Sequence, residues 1–346
     1  MIKRLFNRND NIAILIAGIF SIIIGLGVAR FAFTGLIPAM LDDYLTIKFV
    51  GILASLNFAG YLSGSIFSIF VKDINFKVYL YRFGIFLAIS TTFILAYSDN
   101  NTLWMIGRVL AGFAGAMCLI VGTSIVMQKL TIKSKTKAMG IHFSGIGFSI
   151  LTTDLLARFV LSLNYTWRDS WAVLAVFAII LSLYSVYILS FDKEVKQNAV
   201  KVKFDISIFT PFVIVLIIAY FTEGVGFVVQ ATFLPDIINN LKGLEGYGSL
   251  TWTLVGVAGI PSCIIWMLLA HRFGSSNIII IALLLQAVGI LIPAFSSNIY
   301  LNLLSGVLYG GTFIGLVALF MNLGGQLSRG NPVVLMGAMT SSYGIG

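Results

Sequence analysis

Apolar residues fill ten long stretches of the chain, roughly 12–40, 47–71, 78–97, 103–127, 138–163, 171–191, 209–237, 249–271, 276–295 and 300–325. An eleventh begins near Val333. A helix crosses the hydrocarbon core of a bilayer with about 20 apolar residues, so each of the ten is long enough to span a membrane. The pattern predicts an all-α polytopic membrane protein.

The polar positions between the stretches are sorted by sign. Lys3, Arg4 and Arg8 precede the first, Lys72, Lys77 and Arg82 follow the second, and Lys129, Lys133, Lys135 and Lys137 follow the fourth. Lys193, Lys196, Lys201 and Lys203 follow the sixth, Arg272 the eighth and Arg329 the tenth. The alternate loops carry Asp42, Asp43, Asp99, Asp169, Asp236 and Glu245 against Lys48, Arg168 and Lys242. By the positive-inside rule, the N-terminus and every even-to-odd loop lie in the cytoplasm.

Composition narrows the class further. With 59% hydrophobic residues, 10% charged residues and a mean hydropathy of +1.00, the chain exceeds what a soluble core accommodates. The net charge of +9 comes from the basic loops, and no basic patch with interleaved aromatics points to nucleic acid. Cys118 and Cys263 fall inside spans, where packed thiols are expected rather than a disulfide. The first stretch is too long for a signal peptide and lacks a small-residue cleavage site, so it stays as a helix.

The two halves of the chain echo each other. Gly27-Val28 stands ten residues before Pro38, and 197 positions on Gly224-Val225 stands in the same relation to Pro235. Met139-Gly140 recurs as Met336-Gly337 at the same displacement. Two parallel six-helix units produce such an offset. The division expected is a bundle at 1–191, a basic cytoplasmic linker at 192–208 and a second bundle at 209–346. On that repeat the second bundle closes about 40 residues beyond Gly346, so the chain is expected to be a fragment, truncated within its eleventh helix.

Local motifs agree with this architecture. Leu269-Ala270-His271-Arg272-Phe273-Gly274 resembles the cytoplasmic loop signature of the major facilitator superfamily, with His271 where an Asp is usual. Arg108-Val109-Leu110-Ala111-Gly112 resembles its Arg-containing fourth-helix motif. Ala29-Arg30-Phe31 with Pro38, Asn57-Phe58-Ala59-Gly60-Tyr61, Gly140-Ile141-His142-Phe143-Ser144-Gly145, Ala231-Thr232-Phe233-Leu234-Pro235 and Tyr309-Gly310-Gly311-Thr312 resemble the YbfB/YjiJ-like branch of bacterial transporters. The resemblance implies a fold of two six-helix halves in the cytoplasmic (inner) membrane of a bacterium. It assigns Arg108 a structural contact with the first helix and a part in coupling.

Ionisable side chains inside spans cost about 2.5–3.5 kcal/mol each at a helix centre by insertion scales, so each needs a partner or a watery cavity. Arg30 lies in the outer half of the first span, Arg108 in the fourth, Asp154 and Arg158 in the fifth, and Glu223 near the middle of the seventh. Asp154 and Arg158 are i,i+4 neighbours, placed either to neutralise each other or to serve transport. Arg30 is placed to reach a central cavity. Glu223 has no basic residue within helical reach, with Gln230 two turns on along its face, and is the leading candidate for a reversible proton carrier. The alternative role for Glu223 is a structural lock between the halves. Asn57, His142, Gln286 and Thr312 are weaker polar candidates, and Pro38, Pro235 and Pro261 are expected to serve kinking and packing.

Together these readings predict a proton-coupled secondary transporter for a small organic solute, anionic or zwitterionic, working as a monomer without a cofactor. A non-transporting sensor or scaffold on the same fold is the alternative. An enzyme is disfavoured, because His142 and His271 are the only histidines and no metal or nucleophile motif accompanies them. A channel is disfavoured for want of acidic rings or a filter loop.

Overall fold

A computed structural model describes residues 6–71, 73–131, 135–190, 209–327 and 332–346. The linker expected at 192–208 lies outside the described residues. The elements are α1 (Asn11–Leu41), α2 (Ile47–Phe70), α3 (Ile74–Tyr97), α4 (Asn101–Lys129), α5 (Lys135–Ser162), α6 (Trp167–Ile188), α7 (Pro211–Asn239), α8 (Tyr247–Phe273), α9 (Ser275–Phe295), α10 (Ile299–Leu327) and α11 (Pro332–Ile345). The first ten meet the length and hydropathy needed to cross a bilayer.

Helix starts follow capping chemistry more closely than hydropathy. Asp73 accepts from the Phe76 amide and starts α3 at Ile74, before the apolar stretch begins. Thr166 and Asp169 form a capping box that starts α6 at Trp167, again ahead of the apolar run. Thr46, Asn100 and Thr210 cap α2, α4 and α7, the last with Pro211 in the first turn. Each such cap satisfies an amide that would otherwise lack a partner, worth about 1 kcal/mol.

Glycines set how closely the helices approach. A Cβ on Gly112 would fall 1.9 Å from the Asn57 carbonyl oxygen, and one on Gly60 would fall 2.0 Å from that of Val109. Both lie where α2 meets α4. The contact recurs where α8 meets α10: a Cβ on Gly310 would fall 2.2 Å from the Val255 carbonyl oxygen. The second contact is the first displaced by 198 positions (Asn57 to Val255, Gly112 to Gly310). Without a hydrophobic drive between helices in lipid, such backbone proximity supplies much of the packing energy.

Three buried apolar clusters result. One draws only on residues between Ala13 and Leu189, and one only on residues between Val213 and Met339. The third joins α1 and α5 to α7, α8 and α10 through Ile22, Phe31, Ile146, Phe227, Trp252 and Phe313. Large apolar side chains such as Phe70, Phe86, Leu183 and Leu284 point outward, as lipid contact requires.

At the end where α1 finishes, Trp167 Nε1 donates to Asp43 at 2.9 Å and Tyr44 stacks on the Trp167 ring, 5.9 Å between centroids. An Arg168–Asp99 ion pair ties the first turn of α6 to the α3–α4 loop. Toward this same end two hydrogen-bonded links join α1 and α5 to the second group of helices. The Thr34 hydroxyl donates to the Ala231 carbonyl, and Thr253 of α8 engages both Asp154 and Arg158 of α5.

Candidate functional site

Helix α1 is not regular. From Ile23 to Phe31 it widens into a π-helical segment, and Arg30 sits at its end. Such segments are rare and gather at functional sites. The Arg30 guanidinium lies over the rings of Phe58 at 4.3 Å, Tyr61 at 5.1 Å, Phe227 at 5.5 Å and Phe31 at 5.6 Å. The rings come from α1, α2 and α7. Cation–π contacts of this kind contribute about 0.5–2 kcal/mol each, more where water is excluded. Among the described residues the guanidinium makes no hydrogen bond or ion pair.

Arg108 is 2% exposed. Its Nε donates to the Leu53 carbonyl at 3.4 Å and its Nη1 to the Ala29 carbonyl at 3.1 Å, while the guanidinium covers the Phe33 ring at 4.2 Å. The contact with α1 implied by the motif is thus present. Asn57 Nδ2 donates to the Arg108 carbonyl at 3.1 Å, and Asn57 Oδ1 is buried without a partner. Arg30, Arg108, Asn57 and Thr34 share one cavity of about 10 Å³ with Phe33, Ala54, Phe58, Ala231 and Thr232.

Glu223 is buried on α7. Its Oε1 accepts from Gln286 Nε2 at 3.1 Å, and Oε2 has no partner. The sequence placed Gln230 on the same face, but Gln230 donates instead to the Ile290 carbonyl of α9 at 3.1 Å. Both side chains therefore dock α7 on α9, and Gln286, a weaker candidate, is the residue that touches the carboxylate. Around Glu223 stand the aromatic residues of α7, α10 and α11. Tyr220 stacks on Tyr343 at 4.8 Å, Phe227 meets Tyr343 at 5.5 Å, and the Tyr309 hydroxyl donates to the Phe227 carbonyl at 3.1 Å. No cation pairs with Glu223 among the described residues.

The i,i+4 relation of Asp154 and Arg158 does not yield a direct ion pair within 4.0 Å. Arg158 Nη1 donates to the Thr253 hydroxyl at 2.9 Å, and that hydroxyl donates to Asp154. Two side chains that reach across to the neighbouring helix have less need of each other. His142 shares a hydrogen bond with Thr123 at 2.8 Å between α4 and α5, away from the arginines. Thr312 bonds the Leu308 and Tyr309 carbonyls of its own helix. Among the described residues no group of His, Cys, Asp or Glu could hold a metal ion.

Thr34, Thr232, Thr253 and the aromatic residues around Arg30 were not legible as site residues. The repeat held part of the signal. Thr34 meets Ala231, a residue 197 positions away, and Arg30 lies over Phe227 at that same displacement. Positions equivalent in two halves meet where a two-fold axis passes between them.

Comparison with known proteins agrees with the geometry. The structure is similar to a crystal structure of a D-xylose-proton symporter, with a TM-score of 0.73 at 12% identity, covering 96% of this chain and 87% of that one. It is also similar to the crystal structure of a point mutant of the nucleoside transporter NupG, with a TM-score of 0.68 at 14% identity, covering 98% and 89%. At such identities the likeness concerns the fold. Residues 22–346 match the family described as "Uncharacterised MFS-type transporter YbfB", and the chain belongs to that family of major facilitator superfamily transporters.

Proposed function

We propose that this protein is a proton-coupled secondary active transporter of a small organic solute bearing a negative charge. The observation that carries this reading is Glu223, a buried carboxylate with one oxygen unpartnered and no cation to neutralise it among the described residues. A carboxylate held that way is suited to taking up and releasing a proton, while Arg30 and Arg108 supply positive charge for the solute. Segments 1–191 and 209–346 act as the two bodies that rock about the site, with 192–208 as their linker. The protein works as a monomer in the cytoplasmic membrane of a bacterium with its N-terminus inside. In that orientation the Thr34–Ala231 and Asp154–Thr253–Arg158 contacts close the outer side.

The test uses proteoliposomes with a trapped pH dye. Organic acids, amino acids, sugars and nucleosides are added in turn to the wild type and to Glu223→Gln. Proton movement triggered by one acidic solute and lost in the variant supports coupling through Glu223. Solute binding with no flux in either protein would favour a sensor on the transporter fold.

A further inference from the structure

The cavity beside Arg30 has a specific polar make-up. It is lined by two guanidinium groups and, among the described residues, by no carboxylate. Arg108 commits Nε and Nη1 to carbonyls, leaving Nη2 without a hydrogen bond among the described residues. Arg30 has rings on several sides and no acceptor in that same set. Two cations brought together without an acid repel each other and lose hydration, which an anion shared between them reverses.

The third group is an acceptor. Asn57 Nδ2 is fixed as the atom facing the Arg108 carbonyl, because only a donor satisfies that oxygen. The unpartnered atom of Asn57, a residue only 1% exposed, is therefore Oδ1, and it asks for a donor. A simple carboxylate has none to give. A carboxylate with a neighbouring hydroxyl does.

We propose, building on the transport reading above, that this cavity takes a small hydroxycarboxylate. The carboxylate lies between Arg30 and Arg108, and an adjacent hydroxyl donates to Asn57 Oδ1. At about 10 Å³ the cavity has room for one water molecule. The solute therefore enters only when Thr34 and Ala231, which line it from α1 and α7, move apart.

The probes are radiolabelled lactate and gluconate, with propionate and hexanoate as acids lacking the hydroxyl and xylose and uridine as uncharged polyols. Binding to the purified protein and uptake into proteoliposomes are measured separately. Lactate should bind at least about tenfold more tightly than propionate, which differs from it by the one hydroxyl, the effect of one unpaired buried acceptor. Asn57→Leu should erase that ratio. The wild-type comparison stands even if the variant fails to fold. Equal affinity for hydroxy and deoxy acids, or binding of xylose or uridine but no acid, overturns the proposal. In the second case, uptake of the polyol leaves the transport reading intact. Hydroxy acids that bind but never cross would uphold the site and sink the transport reading.

Discussion

Gln286 reaches across from α9 to donate its Nε2 to Glu223 Oε1 at 3.1 Å, and this is the carboxylate's sole hydrogen bond among the described residues. The amide holds one oxygen in place and leaves the other available to a proton. Gln286→Leu removes that donor while keeping the packing volume. Proton-driven accumulation should fall by about tenfold, the equivalent of one buried hydrogen bond, while solute exchange at equal pH continues. A parallel loss of exchange would show that the amide holds the helices rather than the proton site.

Arg30 is gripped by rings more than by hydrogen bonds, and that makes charge alone an insufficient substitute. Lysine keeps the cation but loses the flat face that lies over Phe58 at 4.3 Å. Arg30→Lys should weaken solute binding by roughly tenfold, and Arg30→Gln should abolish it. Titration of binding in the purified variants measures both.

Two glycine substitutions should differ sharply in cost. A Cβ at Gly112 meets the Asn57 backbone at 1.9 Å, so Gly112→Ala must separate α2 from α4 and cost about 3 kcal/mol or more. Gly243 has a φ of +79° with nothing within 4 Å of an added Cβ, so Gly243→Ala strains only the backbone, at about 1 kcal/mol. Thermal melts in detergent should separate the two clearly.

Thr253 joins Asp154 to Arg158 across the α5–α8 seam. Thr253→Val keeps the shape and cuts both hydrogen bonds. The seam should then open more readily, with faster labelling of a cysteine placed at Thr34 by a membrane-impermeant thiol reagent. Unchanged labelling would mean that the backbone contacts of Gly147 and Gly256 hold the seam unaided.

Much of the fold was legible because lipid imposes a simple rule on sequence. Long apolar runs located the helices, and the 197-residue echo matches the displacement at which Thr34 meets Ala231 and Arg30 lies over Phe227. The site was legible only through its charges. Arg30, Arg108 and Glu223 stand out in apolar helices, but their neighbours do not, since Phe58, Phe227 and Tyr309 look like any lipid-facing aromatic. Partner choice also escaped the spacing argument. Gln286 reads only as a weaker polar candidate in its span, and its meeting with Glu223 depends on the rotation of α9 against α7, which spacing along one helix does not give. Asp154 and Arg158 satisfy the helical pairing rule, yet a threonine on another helix comes between them.

The widened segment of α1 has a consequence for how this helix tolerates changes in length. Each residue of an α-helix advances the phase by about 100°, and a π-helical stretch absorbs a surplus residue without passing that rotation on. Removing one residue near Ile24 would turn the segment into an ordinary helix and still deliver Thr34 and Pro38 to their present neighbours. The same deletion after Phe31 has no slack to draw on, and would swing the rest of α1 through more than a quarter turn. The first membrane helix thus carries a spare residue on one side of Arg30 and none on the other.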